Sequence, residues 1–111
     1  MASEGAAPKV GGHLEMRLRR GRAEPEAQLD LHGYREGAAH AQLERFLARA
    51  RADGKRLVLV ITGKGGVLRE NFPRWLAEDR FRDFVSGVSQ AHIRHGGSGA
   101  FYVALKRKKL R

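Results

Sequence analysis

The stretch Leu57-Val58-Leu59-Val60-Ile61-Thr62-Gly63-Lys64-Gly65-Gly66 decides how this 111-residue chain is read. Its first five residues are the longest apolar run, rich in β-branched side chains. That is the pattern of a strand buried on both faces, and it is far too short to span a bilayer. The glycines then end the strand, and Leu68, Phe72, Trp75 and Leu76 follow at helical spacing. Phe72 and Trp75 are read as core. Pro73 lies inside this stripe, so the helix is either kinked or starts near Pro73 after one loose turn.

A second corner of the same kind stands upstream, at Leu29-Asp30-Leu31-His32-Gly33. Residues 27–31 read as a strand stopped by Gly33. A helix is predicted over 36–52, with Ala39, Leu43, Phe46, Leu47 and Ala50 on its apolar stripe and Gly54 as its C-cap. Strand character returns at 84–91. After the glycine-rich segment 94–99 it returns again at 100–105, with Phe101, Val103 and Leu105 on one face and Tyr102 on the other. The order is β-α-β-α-β-β, an α/β domain over about 27–107. Parallel strands joined by right-handed crossovers put both helices on one face of the sheet. If the third strand runs parallel to the first two, Gly33, Gly63 and the 94–99 loop share one edge. In open α/β layers the carboxyl edge of the strands is where ligands bind.

Upstream, residues 1–12 show no periodicity and are expected to be disordered. Residues 13–26, with Leu14, Met16 and Leu18 alternating with charge, are expected to form a short strand or an extended basic arm. Residues 108–111 are a basic tail. The formal charge is +10, and its placement matters more than its size. Arg17, Arg19, Arg20 and Arg22, with Lys106, Arg107, Lys108, Lys109 and Arg111, hold nine of the 22 basic residues and no acid between them. The other basic residues nearly balance the 12 acidic ones. Two acid-free basic clusters on so small a domain point to a polyanionic partner, nucleic acid above all. The chain has no cysteine, which excludes disulfides and thiolate metal sites and fits a reducing cytoplasm. Residues 1–5 have neither the basic head nor the apolar stretch of a secretory signal. A monomer without membrane attachment is expected.

Asp30 and His32 are two apart on a strand and therefore share a face. A carboxylate beside an imidazole orients the ring for general acid–base chemistry, and Asp30 can also take a hard divalent cation. The structural alternative is that Asp30 bonds a nearby backbone N–H and His32 braces the turn. Gly63, Lys64, Gly65 and Gly66 bring backbone N–H groups and a cation to a helix N-terminus, a setting for phosphate. The segment is not a Walker A loop, and Leu68 breaks Gly-x-Gly-x-x-Gly, so nucleotide hydrolysis is disfavoured. Arg69 lies in the first helical turn, where a cation opposes the helix dipole, which suggests an anion nearby. His95, Gly96 and Gly97 form a small-residue loop that another backbone can approach. His13, His40 and His92 belong to no constellation.

Together these stretches resemble the Smr (small MutS-related) domain family, stand-alone bacterial type. The residues that carry the resemblance are Leu29-Asp30-Leu31-His32-Gly33, Leu59-Val60-Ile61-Thr62-Gly63-Lys64-Gly65, Val67-Leu68-Arg69 with Trp75-Leu76, and His95-Gly96-Gly97-Ser98-Gly99-Ala100 with Val103 and Leu105. The resemblance implies a two-layer βαβαββ fold like the C-terminal domain of translation initiation factor 3, with a four-stranded mixed sheet whose last strand is antiparallel to the rest. It implies an endonuclease that nicks DNA or cleaves RNA, in ribosome rescue or in DNA repair and recombination, with Asp30 and His32 catalytic. Phosphate contacts are expected from Gly63, Lys64, Gly65, Gly66, Arg69, His95, Gly96, Gly97, Arg19, Arg20, Lys106 and Lys108. On RNA the 2′-hydroxyl can attack without metal, whereas on DNA water attacks and a divalent cation, Mg or Mn, helps. Thr62 stands where the family often has histidine. That departure keeps open a non-catalytic nucleic-acid or ribosome-binding module, and beyond it a small phosphate-ligand binder whose affinity barely responds to salt.

Overall fold

The computed structural model describes residues 8–107. Lys108, the basic tail and residues 1–7 lie outside the described residues. The elements are α1 (Gly12–Arg19), β1 (Gln28–Asp30), α2 (Glu36–Ala52), β2 (Leu57–Ile61), α3 (Gly66–Leu76), α4 (Asp79–Arg82), β3 (Val85–Gln90) and β4 (Ala100–Leu105). The four strands form one sheet in the order β1-β2-β4-β3. β1 and β2 are parallel, and β4 is antiparallel to both β2 and β3. β3 therefore runs with β1 and β2, and β4 alone runs the other way.

The apolar patterning explains the layers. Val58 and Val60 of β2, with Phe101, Val103 and Leu105 of β4, pack under Leu43 and Leu47 of α2 and Leu68, Phe72, Trp75 and Leu76 of α3. The alternate residues Leu57, Leu59, Tyr102 and Ala104 face the other way, against Val10, Leu18 and Ala23. β2 and β4 are thus buried on both faces, as a continuous apolar run demands. α3 is helical from Gly66 straight through Pro73, so the expected alternative of a start near Pro73 is not taken. Leu68, Phe72 and Leu76 need one unbroken stripe to reach the same core. α4 was not legible as a separate element. Its Phe81 is fully buried, and the ring of His40 stands edge-on to both Phe81 and Trp75 while its Nε2 meets Glu78 at 2.9 Å.

The largest correction concerns the arm. Residues 12–19 are a helix, not a strand or extended segment, and within the stretch expected to be disordered Val10 is buried. Leu14 and Leu18 are four apart, so they fit a helix face as well as they fit alternation, and the exposed Met16 between them settles the matter. Ahead of α1, Pro8 to Val10 run along β3: the Val88 N–H donates to the Pro8 carbonyl at 2.8 Å, and Lys9 bridges Val88 in parallel. Gly87 makes that approach possible, since a Cβ there would stand 2.8 Å from the Val10 Cα. Gly87→Val is therefore expected to destabilise the fold by about 1–3 kcal/mol, the usual range for overpacking. The urea midpoint reads it, and an unchanged midpoint would show that the arm contributes nothing to stability.

Candidate functional site

Strand direction brings the corners together. The register pairs Asp30 with Ile61, Ile61 with Ala100, and Gln90 with Phe101, so the ends of β1, β2 and β3 and the start of β4 share one sheet edge. On that rim the corners are bonded to each other. The N–H groups of Thr62 and Gly63 both donate to the Gly99 carbonyl, at 2.9 and 3.0 Å. Gly99 is needed here: a Cβ would lie 3.2 Å from both the Gly63 carbonyl carbon and the Lys64 nitrogen. Gly63 sits against His32, whose Cβ is 3.7 Å from where a Gly63 Cβ would be, and its φ of +89° is one that a side chain rarely adopts.

At the first corner, Asp30 Oδ1 accepts from His32 Nδ1 at 2.6 Å and from the His32 backbone N–H at 3.0 Å. The His32 side-chain bond is the main reason that the Asp30 carboxyl is held below its ordinary value; burial, next in size, opposes it, and the His32 backbone N–H adds to the lowering. An ionised Asp30 fixes the proton on Nδ1 and leaves Nε2 with its lone pair. The His32 side chain is 70% exposed, so that nitrogen is open to a substrate. At the second corner Lys64 is exposed and lines a groove of about 500 Å³ with Gln90, Gly96, Gly97 and Ser98. On the other side of the glycine loop a groove of about 530 Å³ is lined by Tyr34, Arg35, Glu36, Gly65, Gly66 and Val67 among others.

Other expected site residues have different partners. Arg69 Nε donates to the Ser98 carbonyl at 2.6 Å, and its guanidinium lies 5.7 Å from the Phe101 ring centroid. It ties α3 to the loop, so its place in the first turn is explained without a bound anion. His95 turns inward. Its side chain is 13% exposed, with Nδ1 bonded to the Tyr102 hydroxyl at 2.6 Å and Nε2 3.5 Å from Glu24. Lys106 follows the C-terminal end of β4, and because β4 is antiparallel that end lies at the opposite sheet edge. Arg19 and Arg20 are exposed at the end of α1, and Arg94 Nε donates to the Gly21 carbonyl just beyond them at 2.8 Å, which keeps that cluster beside the rim loop. Thr62 is buried, its hydroxyl donating to the Gly63 carbonyl at 3.0 Å, so it offers no proton-transfer group to the rim.

Among the described residues no group of three or more His, Cys, Asp or Glu side chains is arranged to hold a metal. A cation at the rim would find Asp30 with one oxygen already engaged by two donors. The described residues thus gather no side-chain cluster for a resident metal. No helix among the described residues is long and apolar enough to cross a membrane.

Three carboxyls carry a pH dependence. Asp30 is lowered chiefly by His32, Glu24 chiefly by the Arg94 side-chain hydrogen bond, and Glu26 chiefly by the backbone N–H of Arg56 and then that of Leu57. Each favours folding in its ionised form, fully so above its ordinary value, and that contribution is lost as pH falls through the lowered folded value. Stability is expected to hold down to the ordinary values, 4.5 for Glu24 and Glu26 and 3.8 for Asp30, and to fall with further acid. Urea midpoints taken through the acid range check this, and Glu26→Gln should flatten the limb.

Residues 29–106 match the Smr domain family model. The chain is 37% identical over 98 residues to the probable DNA endonuclease SmrA of Escherichia coli strain K12, an alignment covering 82% of this chain and 51% of that one. It is 33% identical over 95 residues to the ribosome rescue factor SmrB of Shewanella sp. strain W3-18-1, covering 85% and 52%. The chain thus spans about half the length of the curated relatives it matches. Among solved structures, it superposes on YdaL, a stand-alone small MutS-related protein from Escherichia coli, with a TM-score of 0.72 and 33% identity, covering 92% of this chain and 81% of that chain. It superposes on the Smr domain of Thermus thermophilus MutS2 with a TM-score of 0.66 and 31% identity, covering 72% and 98%.

Proposed function

The chain belongs to the Smr domain family, and from that premise we propose that it binds nucleic acid along the glycine rim and cleaves a phosphodiester bond there. The observation that carries this reading is the 2.6 Å Asp30–His32 pair, exposed beside a lysine-bearing glycine loop. The Gly63 N–H is already given to the Gly99 carbonyl, so the N–H groups of Lys64, Gly65 and Gly66, with the Lys64 ammonium, hold a phosphate. Asp30 keeps the imidazole in the tautomer with Nε2 free, and Nε2 takes the proton from the attacking oxygen. On RNA that oxygen is the neighbouring 2′-hydroxyl; on DNA it is water. The leaving oxygen is protonated from solvent at this open edge. One relative is named a probable DNA endonuclease and others ribosome rescue factors. The chemistry common to those names is nucleic acid, with the ribosome as a candidate partner. A monomer working in the cytoplasm, and a domain over 27–107, complete the reading.

The test is a cleavage assay on matched RNA and DNA substrates, with and without EDTA, comparing the parent with His32→Ala. A second reading, a binder that does not cut, is favoured by the inward-turned Thr62, which leaves His32 as the one histidine at the two corners. Steep salt-dependent binding without cleavage in the parent would select it. Under either reading, Lys64→Ala is expected to reduce the slope of log affinity against log salt by about 0.7–0.9, the contribution of one phosphate contact. An unchanged slope removes Lys64 from the phosphate site.

A further inference from the structure

We infer that the groove on the α2 side of the glycine loop is a subsite for one unstacked nucleobase, with Tyr34 as its stacking platform; this rests on the nucleic-acid reading above and deepens it. Four large apolar side chains are exposed among the described residues: Met16, Tyr34, Val67 and Ile93. Two of them, Tyr34 at 43% and Val67 at 53% exposure, line this one groove of about 530 Å³. Exposed apolar side chains scattered singly need no explanation, whereas a pair in one groove beside reacting groups does. Tyr34 comes two residues after His32, and Gly33, the residue between them, lines the same groove. A nucleotide whose phosphate lies on the glycine loop therefore has its base within reach of the tyrosine ring.

The groove also offers polar groups to the edge of a base. Glu36 lines it, with Oε2 accepting from Asn71 Nδ2 at 2.7 Å, and its carboxylate can accept from the amino group of a base. The exposed lysine lies on the other side of the loop, in the groove shared with Gly97 and Ser98. Arg35 lines the Tyr34 groove as well, so the flanking phosphate of a bound strand meets a cation beside the stacking ring, the pairing by which proteins grip single strands. A base can enter only after leaving its stack, so unpaired segments are bound in preference to duplex.

The experiment measures binding of the full chain to a short single-stranded oligonucleotide at fixed salt, with one abasic nucleotide walked along it. In the parent, one abasic position is expected to weaken binding about 5- to 150-fold, the range for one base–aromatic stack. Tyr34→Ala should weaken binding of the intact oligonucleotide by the same factor and erase the effect of the abasic position. Tyr34→Trp, which keeps a stacking face, should stay within about twofold of the parent. The same sequence as a blunt duplex should bind more weakly than the single strand. The subsite is overturned if Tyr34→Ala binds as the parent does, or if the abasic position weakens the variant and the parent equally, the latter pointing to another residue as the platform. If binding is steeply salt-dependent but indifferent to Tyr34, the subsite alone falls. If the parent binds neither form of nucleic acid, both the subsite and the proposed function fall.

Discussion

His32→Ala is expected to slow cleavage by about 10²- to 10⁴-fold, the usual contribution of a positioned general acid or base, while binding changes little. The two effects separate because His32 touches the moving proton, whereas the phosphate is held by Lys64 and by backbone N–H groups that the substitution leaves alone. Its side chain is mostly exposed and, among the described residues, hydrogen-bonds to Asp30 alone, so the variant should fold as the parent does. Asp30→Asn tests the same pair from the other side. An asparagine can keep the turn by accepting the His32 backbone N–H, but it removes the charge that fixes the proton on Nδ1. Cleavage should fall on the same scale, and with one negative charge fewer on the rim, binding should hold or tighten. Full-rate cleavage by both variants sinks the assignment. Loss of binding in parallel with cleavage would instead make the pair a part of the fold.

Phe72→Ala should cost about 3–5 kcal/mol of stability, the range for deleting a buried aromatic ring, against a total of about 5–15 kcal/mol for a domain. Phe72 is fully buried, and its ring stacks on Phe101 at 4.6 Å between centroids with 21° between planes. The effect should reach the rim. Phe101 carries the guanidinium of Arg69, and Arg69 holds the Ser98 carbonyl one residue before the glycine that bonds Thr62 and Gly63. A lowered urea midpoint with an unchanged slope would show a cavity effect, and faster amide exchange in the 96–99 loop would show that the core supports the site. A loss below about 1 kcal/mol would mean that the site collapses around the deletion far better than buried aromatic positions usually do.

The sheet and the first corner were legible because their signals are local. The apolar run at 57–61 and the stripe over 36–52 each encode one element, and the Asp30–His32 spacing puts both side chains on one face. What was not legible depends on packing between distant segments. His95 reads as a loop residue, yet the register of β3 against β4 turns its ring towards the Tyr102 hydroxyl and Glu24. Arg69 reads as a free cation until the loop carbonyl that it bonds is known. Lys106 belongs to a basic run that charge alone assigns to the ligand. The direction of β4, which the resemblance implied, carries Lys106 to the far edge. Leu14, Met16 and Leu18 fit two periodicities, and only the sheet face beneath them chooses.

The N-terminal segment along β3 also makes the sheet one-sided as a template. One margin is occupied by Pro8 to Val10, and the other is β1, three residues long. Among the described residues that leaves β1 as the more open margin, and an edge of three residues offers a joining strand few backbone groups. A basic protein gathered at high local density on a polyanion thus presents little free strand edge along which neighbouring copies could pair.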